Sequence, residues 1–182
     1  GATAAAAAAI AGCGGSDRDD GGESDRDDRR DPPTPTEPDP PPPDTDAFER
    51  TVDIVAAGAD PTGREPIGDA LRSQAVEETL VEFPPGRYRL AEEFVPDVSR
   101  FGMRGPDATI VPTDGNDQLL FGLGGRSPAS TLVVSGFTFD FRAPDTGGRP
   151  LLARADDRIL ARDLTVLGEV DVEQDLFRFD VT

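Results

Sequence analysis

The stretch Val81-Glu82-Phe83-Pro84-Pro85-Gly86-Arg87-Tyr88-Arg89-Leu90 sets a short apolar strand, a Pro-Pro-Gly corner and a second, alternating strand in direct succession, with no helix between them. Proline removes a backbone donor and glycine tolerates a tight bend, so the chain must change direction at Pro84-Pro85-Gly86. A strand that turns a corner straight into another strand predicts a chain beginning to wind into a β-solenoid.

Upstream, Thr51-Val52-Asp53-Ile54-Val55 alternates apolar and polar residues and is rich in β-branched side chains, which predicts a strand. Gly58-Ala59-Asp60-Pro61-Thr62-Gly63 follows as a turn. Pro66 suits a first helical turn, and Ile67, Ala70, Leu71 and Ala75 recur at helical spacing, which predicts one amphipathic helix over about residues 66–78.

Downstream, short strands recur without helices, as a solenoid requires. One series runs through Arg100–Arg104 with Thr109–Val111, then Thr131–Phe141, then Arg158–Leu167. Within it, Gly136-Phe137-Thr138-Phe139 aligns with Asp163-Leu164-Thr165-Val166, 27 residues later. A second series aligns Gln118-Leu119-Leu120-Phe121 with Pro150-Leu151-Leu152-Ala153 and Asp175-Leu176-Phe177-Arg178, at spacings of 32 and 25. A β-sandwich of short strands is the competing architecture.

The opening stretch resembles the V-x-F-P-x-G-x-Y-x-L segment near the N-terminus of the pectate-lyase superfamily of right-handed parallel β-helix proteins. The resemblance extends backwards. In that superfamily a strand leads into a G-A-x-G-D-G turn, then a helix that plugs the end of the solenoid, then the hairpin-like F-P-x-G-x-Y entry. Ile54 through Gly63, the helix and Phe83 through Leu90 keep that order, with Asp60-Pro61-Thr62-Gly63 replacing the shorter acidic-glycine turn. The resemblance implies an all-β, right-handed parallel β-helix with a short capping helix.

The 182 residues carry a net charge of −18, and all 18 basic residues are Arg, with no Lys, His or Trp. Residues 16–50 contribute 13 acids and 5 Arg, and residues 51–182 contribute 23 acids and 13 Arg, so the folded part is itself acidic. Such a charge opposes binding to nucleic acid or an anionic bilayer. Acidity spread over a domain without Lys resembles proteins of salt-loving archaea, where molar salt screens the self-repulsion.

Residues 1–12 are uncharged and Ala-rich, and they read as the remnant of a signal peptide. Ile10-Ala11-Gly12-Cys13 resembles a lipoprotein lipobox, which makes Cys13 the expected lipidation site. The apolar run is shorter than the ~20 residues that span a bilayer. Residues 13–50 form an Asp/Arg/Gly-rich and then Pro-rich tether that lacks apolar periodicity and is expected to be disordered. The β-helix domain is assigned to residues 51–182, and the chain is expected to be a fragment, with further coils beyond Thr182. From these features the protein is expected on the extracellular face of the cell membrane, lipid-anchored.

Without His, chemistry falls to carboxylates, Arg, Tyr88 or hydroxyls. Asp156-Asp157 superficially matches the paired acids of polygalacturonases, but sequential strand residues point to opposite faces, and the Asn-x-Asp and Gly-His-Gly patterns of that family are missing. Asp140, Asp163, Asp171 and Asp180 lie in or beside predicted strands, where a hydrated acidic surface competes with any catalytic role. Arg142, Arg154 and Arg162 are candidates to clamp carboxylated sugars, against ion pairing with neighbouring acids. Tyr88 and the Phe residues invite a sugar-stacking reading, but Phe83, Phe137 and Phe139 alternate along strands and read as core. Gly124-Gly125-Arg126 and Gly147-Gly148-Arg149 read as loop tips between coils. Catalytic residues are not identified, and no metal or cofactor is expected. The expected function is contact with polysaccharide. A lyase or hydrolase with its working coils beyond residue 182, or a purely structural adhesion module, are the alternatives.

Overall fold

The computed structural model describes residues 47–113, 119–143, 148–168 and 175–182. Among the described residues ten strands, all paired in parallel, form a β-solenoid of about 4 turns. They are β1 (Arg50–Asp53), β2 (Thr62–Pro66), β3 (Thr79–Glu82), β4 (Gly86–Leu90), β5 (Arg100–Pro112), β6 (Phe121–Leu123), β7 (Ala129–Phe141), β8 (Leu151–Arg162), β9 (Thr165–Gly168) and β10 (Phe177–Val181), with one helix, α1 (Gly68–Gln74).

The pairing sorts into three sheets. The first stacks β1, β3, the start of β5, the start of β7 and the end of β8, and the second stacks β2, β4, the end of β5, the end of β7 and β9. The third stacks β6, the start of β8 and β10, with Phe94 bridged to Phe121. Parallel strands need a crossover, and here the other two sheets supply it.

Each residue of the opening stretch has a place in this geometry. Val81 and Phe83 point into the core from the first sheet, and Tyr88 and Leu90 point in from the second. The Tyr88 hydroxyl donates to the Pro84 carbonyl at 2.7 Å, which buckles the Pro-Pro-Gly corner. Gly86 is required by close approach: a Cβ there would lie 2.8 Å from the Pro61 carbonyl oxygen of the coil before. β3 and β4 do not pair with each other, so the entry is a corner between sheets and not the hairpin-like element expected.

The long strands bend between the first and second sheets at Asp107, Gly136 and Asp163, which stand at equivalent places in successive coils and share positive φ (65°, 82° and 53°). Glycine, and next to it Asp and Asn, tolerate this conformation best. A phenylalanine ladder fills the core, with Phe83 edge-on to Tyr88 at 5.2 Å and to Phe137 at 5.1 Å, and Phe121 against Phe139 at 6.0 Å.

Several sequence expectations need adjustment. The 27-residue alignment holds, since Thr138 pairs with Thr165 and Phe139 with Val166. The second series is out of register: Phe121 pairs with Leu151 and Leu151 with Phe177, because the bulkier inward aromatics and not the Leu-Leu pairs define the core position. Of that series, Gln118 lies outside the described residues. The turn before the helix ends early, and Thr62–Pro66 is a strand. Pro66 is therefore the last residue of β2, opposite Arg89, and the helix is confined to Gly68–Gln74 with Ile67 and Leu71 buried. Asp60 organises this segment, its carboxylate accepting hydrogen bonds from the Thr62, Arg64 and Glu65 amides and the Thr62 hydroxyl. Those bonds hold its pKa at about 2.

Candidate functional site

The outer surface of the second sheet is set by strand alternation. Ala108, Ile110, Phe137 and Phe139 enter the core, so Thr109, Val111, Thr138 and Asp140 between them face outward. Register then stacks Thr62, Arg87, Thr109, Thr138 and Thr165 in one column running along the solenoid axis. Beside it, Arg89 is paired with Val111, and Asp140 with Leu167.

Arg87, Val111, Asp140, Arg142 and Ala143 line an open hollow of about 430 Å³ on this surface. Asp140 is its fixed centre. The residue is only 4% exposed, and its carboxylate accepts from Arg142 Nε at 2.8 Å and Nη2 at 2.9 Å, from the Arg142 amide at 3.2 Å, and from Arg87 Nη1 at 3.2 Å. The Arg142 fork, followed by the Arg142 amide and Arg87, holds the Asp140 carboxyl well below the usual carboxylate range despite its burial. In return the carboxylate pushes the Arg142 guanidinium up. Both Arg side chains stay half in solvent, at 54% and 62% exposure, and Arg89 is exposed next to them. Asp140 thus pins two guanidinium groups whose side chains are half exposed.

A second hollow of about 400 Å³ lies between α1 and the corner after β4, lined by Glu65, Asp69, Glu92 and Arg72 among others. Its single guanidinium is already engaged by Asp69 at 2.6 Å and Glu92 at 3.2 Å, so the hollow is acidic and internally paired.

The sequence candidates do not converge on one face. Arg162 is on the first sheet, Arg142 on the second and Arg154 on the third, opposite Asp180. They cannot form one clamp. Asp140 belongs to the hollow, Asp163 to a corner, and Asp180 to the third sheet where it accepts from Arg178 at 3.1 Å. Asp171 and Cys13 lie outside the described residues, as does Gly147 of one expected loop tip. Asp156 and Asp157 are exposed, and Asp156 accepts the Thr182 hydroxyl at 2.8 Å. Among the described residues no group of three or more His, Cys, Asp or Glu is placed to hold a metal ion, and no helix is long and apolar enough to cross a membrane. Tyr88 is fully buried, and burial, aided by the nearby Asp53 charge, pushes its hydroxyl up to about 12.

Sequence reading passed over Arg87 and Arg89 as part of a fold signature. The signal that finds them is the alternation of Gly86-Arg87-Tyr88-Arg89-Leu90: once Tyr88 and Leu90 are placed inward, the two Arg must face out.

The fold and this surface define a parallel β-solenoid. No protein-family model matches the sequence, and no curated protein does. Among solved structures the chain is similar to ORF18 of Geobacillus virus E2, at 17% identity and a TM-score of 0.49. The likeness covers 64% of this chain and 25% of that one, so the chain spans about a quarter of that protein's length.

Proposed function

We propose that this is a cell-surface β-solenoid of the pectate-lyase superfamily that contacts polysaccharide through the outer surface of its second sheet. The observation that carries the reading is the column of Arg87, Thr109, Thr138 and Thr165 with Arg89 and the Arg142–Asp140 pair beside it. Successive coils repeat at about 4.8 Å, so the hydroxyl and guanidinium donors form a straight line that an extended polymer can follow. Guanidinium groups bind carboxylates through paired hydrogen bonds, and Asp140 orders two of them in advance. Three Arg against one Asp also make this patch locally basic in a chain of net charge −18, which favours an anionic polymer there and nowhere acidic.

In this reading a lipid on Cys13 and the Pro-rich tether hold the domain at the extracellular face of the membrane, and the carboxylate excess suits a saline environment. The test is titration calorimetry of the purified protein at high salt with uronate-containing and neutral oligosaccharides. Uronate binding that is lost when Arg87 and Arg89 are both replaced by Ala supports the reading. No binding to either class, or binding indifferent to both substitutions, contradicts it. Unchanged membrane partitioning of a Cys13→Ser protein contradicts the lipid anchor separately.

A further inference from the structure

The first sheet carries an apolar column on its outside. Register stacks Thr51, Leu80, Gly102, Val133 and Leu160 on successive coils, whereas the next outward column reads Asp53, Glu82, Arg104, Ser135 and Arg162. The core takes Phe101, Met103, Leu132 and Val134 from the same strands, and Leu80 and Val133 form a separate cluster with Phe48. Apolar side chains on an outer sheet face need a cover. They have one: Leu80 and Val133 are 0% and 1% exposed, and Phe48 is 9% exposed.

Gly102 forms the seat. A Cβ at this position would lie 2.7 Å from the Phe48 ring and 2.8 Å from Leu80, so only glycine leaves room for the aromatic side chain. The placement also has a direction. Phe48 stands two residues before β1, yet its ring lies over Gly102, two coils further along, and its cluster reaches Val133 one coil beyond that. At about 4.8 Å per coil, the ring sits roughly 10 Å along the axis from β1. The chain at Ala47-Phe48 therefore runs against the direction in which coils are added before it turns into β1.

We propose that Ala47-Phe48 is a strap seated in a notch at Gly102, which covers the apolar column on the outer face of the first sheet. The strap lies on the first sheet and stands independently of what the second-sheet surface binds.

The test uses the full chain and thermolysin, which cuts before large apolar residues. Gly102→Val fills the notch. With the strap displaced, the Ala47–Phe48 bond is cut about tenfold faster or more, the response of a local opening equilibrium to ~1.4 kcal/mol, while circular dichroism stays that of a folded solenoid. An unchanged cleavage rate in a folded Gly102→Val protein overturns the proposal. A milder pair guards against misfolding. Gly102→Ala lowers the denaturant midpoint when Phe48 is present and lowers it less in a Phe48→Ala protein, where the vacated space lets the Leu80 side chain move aside. Equal losses in both backgrounds overturn the notch. A dimer by light scattering that Phe48→Ala converts to monomer overturns the intramolecular assignment, since the strap then comes from a second copy.

Discussion

Replacing Gly136 by Ala probes the corner geometry most sharply. Gly136 has φ +82°, and a Cβ there would lie 2.8 Å from the Pro106 nitrogen, 3.0 Å from the Gly105 carbonyl carbon and 3.0 Å from the Pro106 Cα. All three atoms are backbone, so no side chain can swing aside. The left-handed conformation alone costs an L-residue about 1–2 kcal/mol. Forcing the neighbouring coil away adds the roughly 1–3 kcal/mol typical of overpacking. The sum, about 2–5 kcal/mol, is a large share of the ~5–15 kcal/mol that holds a domain folded. Gly58 supplies the control, because it has φ +102° with nothing within 4 Å of its Cβ position, so Gly58→Ala carries the conformational cost alone. Urea titrations of both variants followed by circular dichroism measure the difference, with Gly136→Ala the less stable by about 1–3 kcal/mol. Losses within about 0.5 kcal/mol of each other refute the stacking of Gly136 against the Gly105-Pro106 corner.

Asp140→Asn removes the carboxylate that pins Arg87 and Arg142, and since both guanidinium groups are half in water the expected loss is only about 1–2 kcal/mol near neutral pH. The native pKa is depressed, so this stability is present above the unfolded value of about 3.9 and fades as pH falls below it; acid titration of stability is accordingly flatter in Asp140→Asn. Tyr88 is the chain's one tyrosine, and its ultraviolet titration reports a midpoint of about 12 in the folded protein. Because that value is raised, stability is full below the unfolded pKa of about 10 and declines as pH climbs through 12, a decline that Tyr88→Phe abolishes while losing about 1 kcal/mol with the bond to Pro84. Phe139→Ala opens the core ladder and costs about 3–5 kcal/mol by thermal or denaturant melt, whereas Phe179→Ala, at a side chain 44% exposed, costs under about 1 kcal/mol.

The architecture was legible because the fold signature is local. Corner residues and strand alternation within Val81–Leu90 dictate inward and outward side chains before any long-range contact forms, and the 27-residue repeat keeps the Gly/Asp corner and the apolar inward positions, Phe137 and Phe139 giving way to Leu164 and Val166. Register in the third sheet was less legible, since Leu119-Leu120, Leu151-Leu152 and Leu176 offer several equivalent alignments and only the packing of Phe121 and Phe177 separates them. Strand β2 was hidden by its composition: Thr62-Gly63-Arg64-Glu65-Pro66 has a turn's residues, and pairing with β4 together with the Asp60 carboxylate gives it an extended form. The candidate surface was legible only in part. Arg142 and Asp140 were both marked, but their union with Arg87 spans 53 residues and depends on the coil repeat. Arg154 and Arg162 were marked for the same chemistry, and the three-sheet cross-section sends them to other faces. Phe48 sits in sequence at the end of a polar tether, and its role depends on a glycine two coils away.

The central claim, an outer second-sheet surface that follows an extended anionic polysaccharide, is tested most directly by mapping a bound uronate oligosaccharide with backbone amide NMR shifts at high salt. The account predicts that the shifts concentrate at Arg87, Arg89, Thr109, Thr138 and Arg142, on three successive coils, and vanish in the Arg87→Ala, Arg89→Ala double variant. Shifts confined to the first or third sheet, or none at all, contradict it.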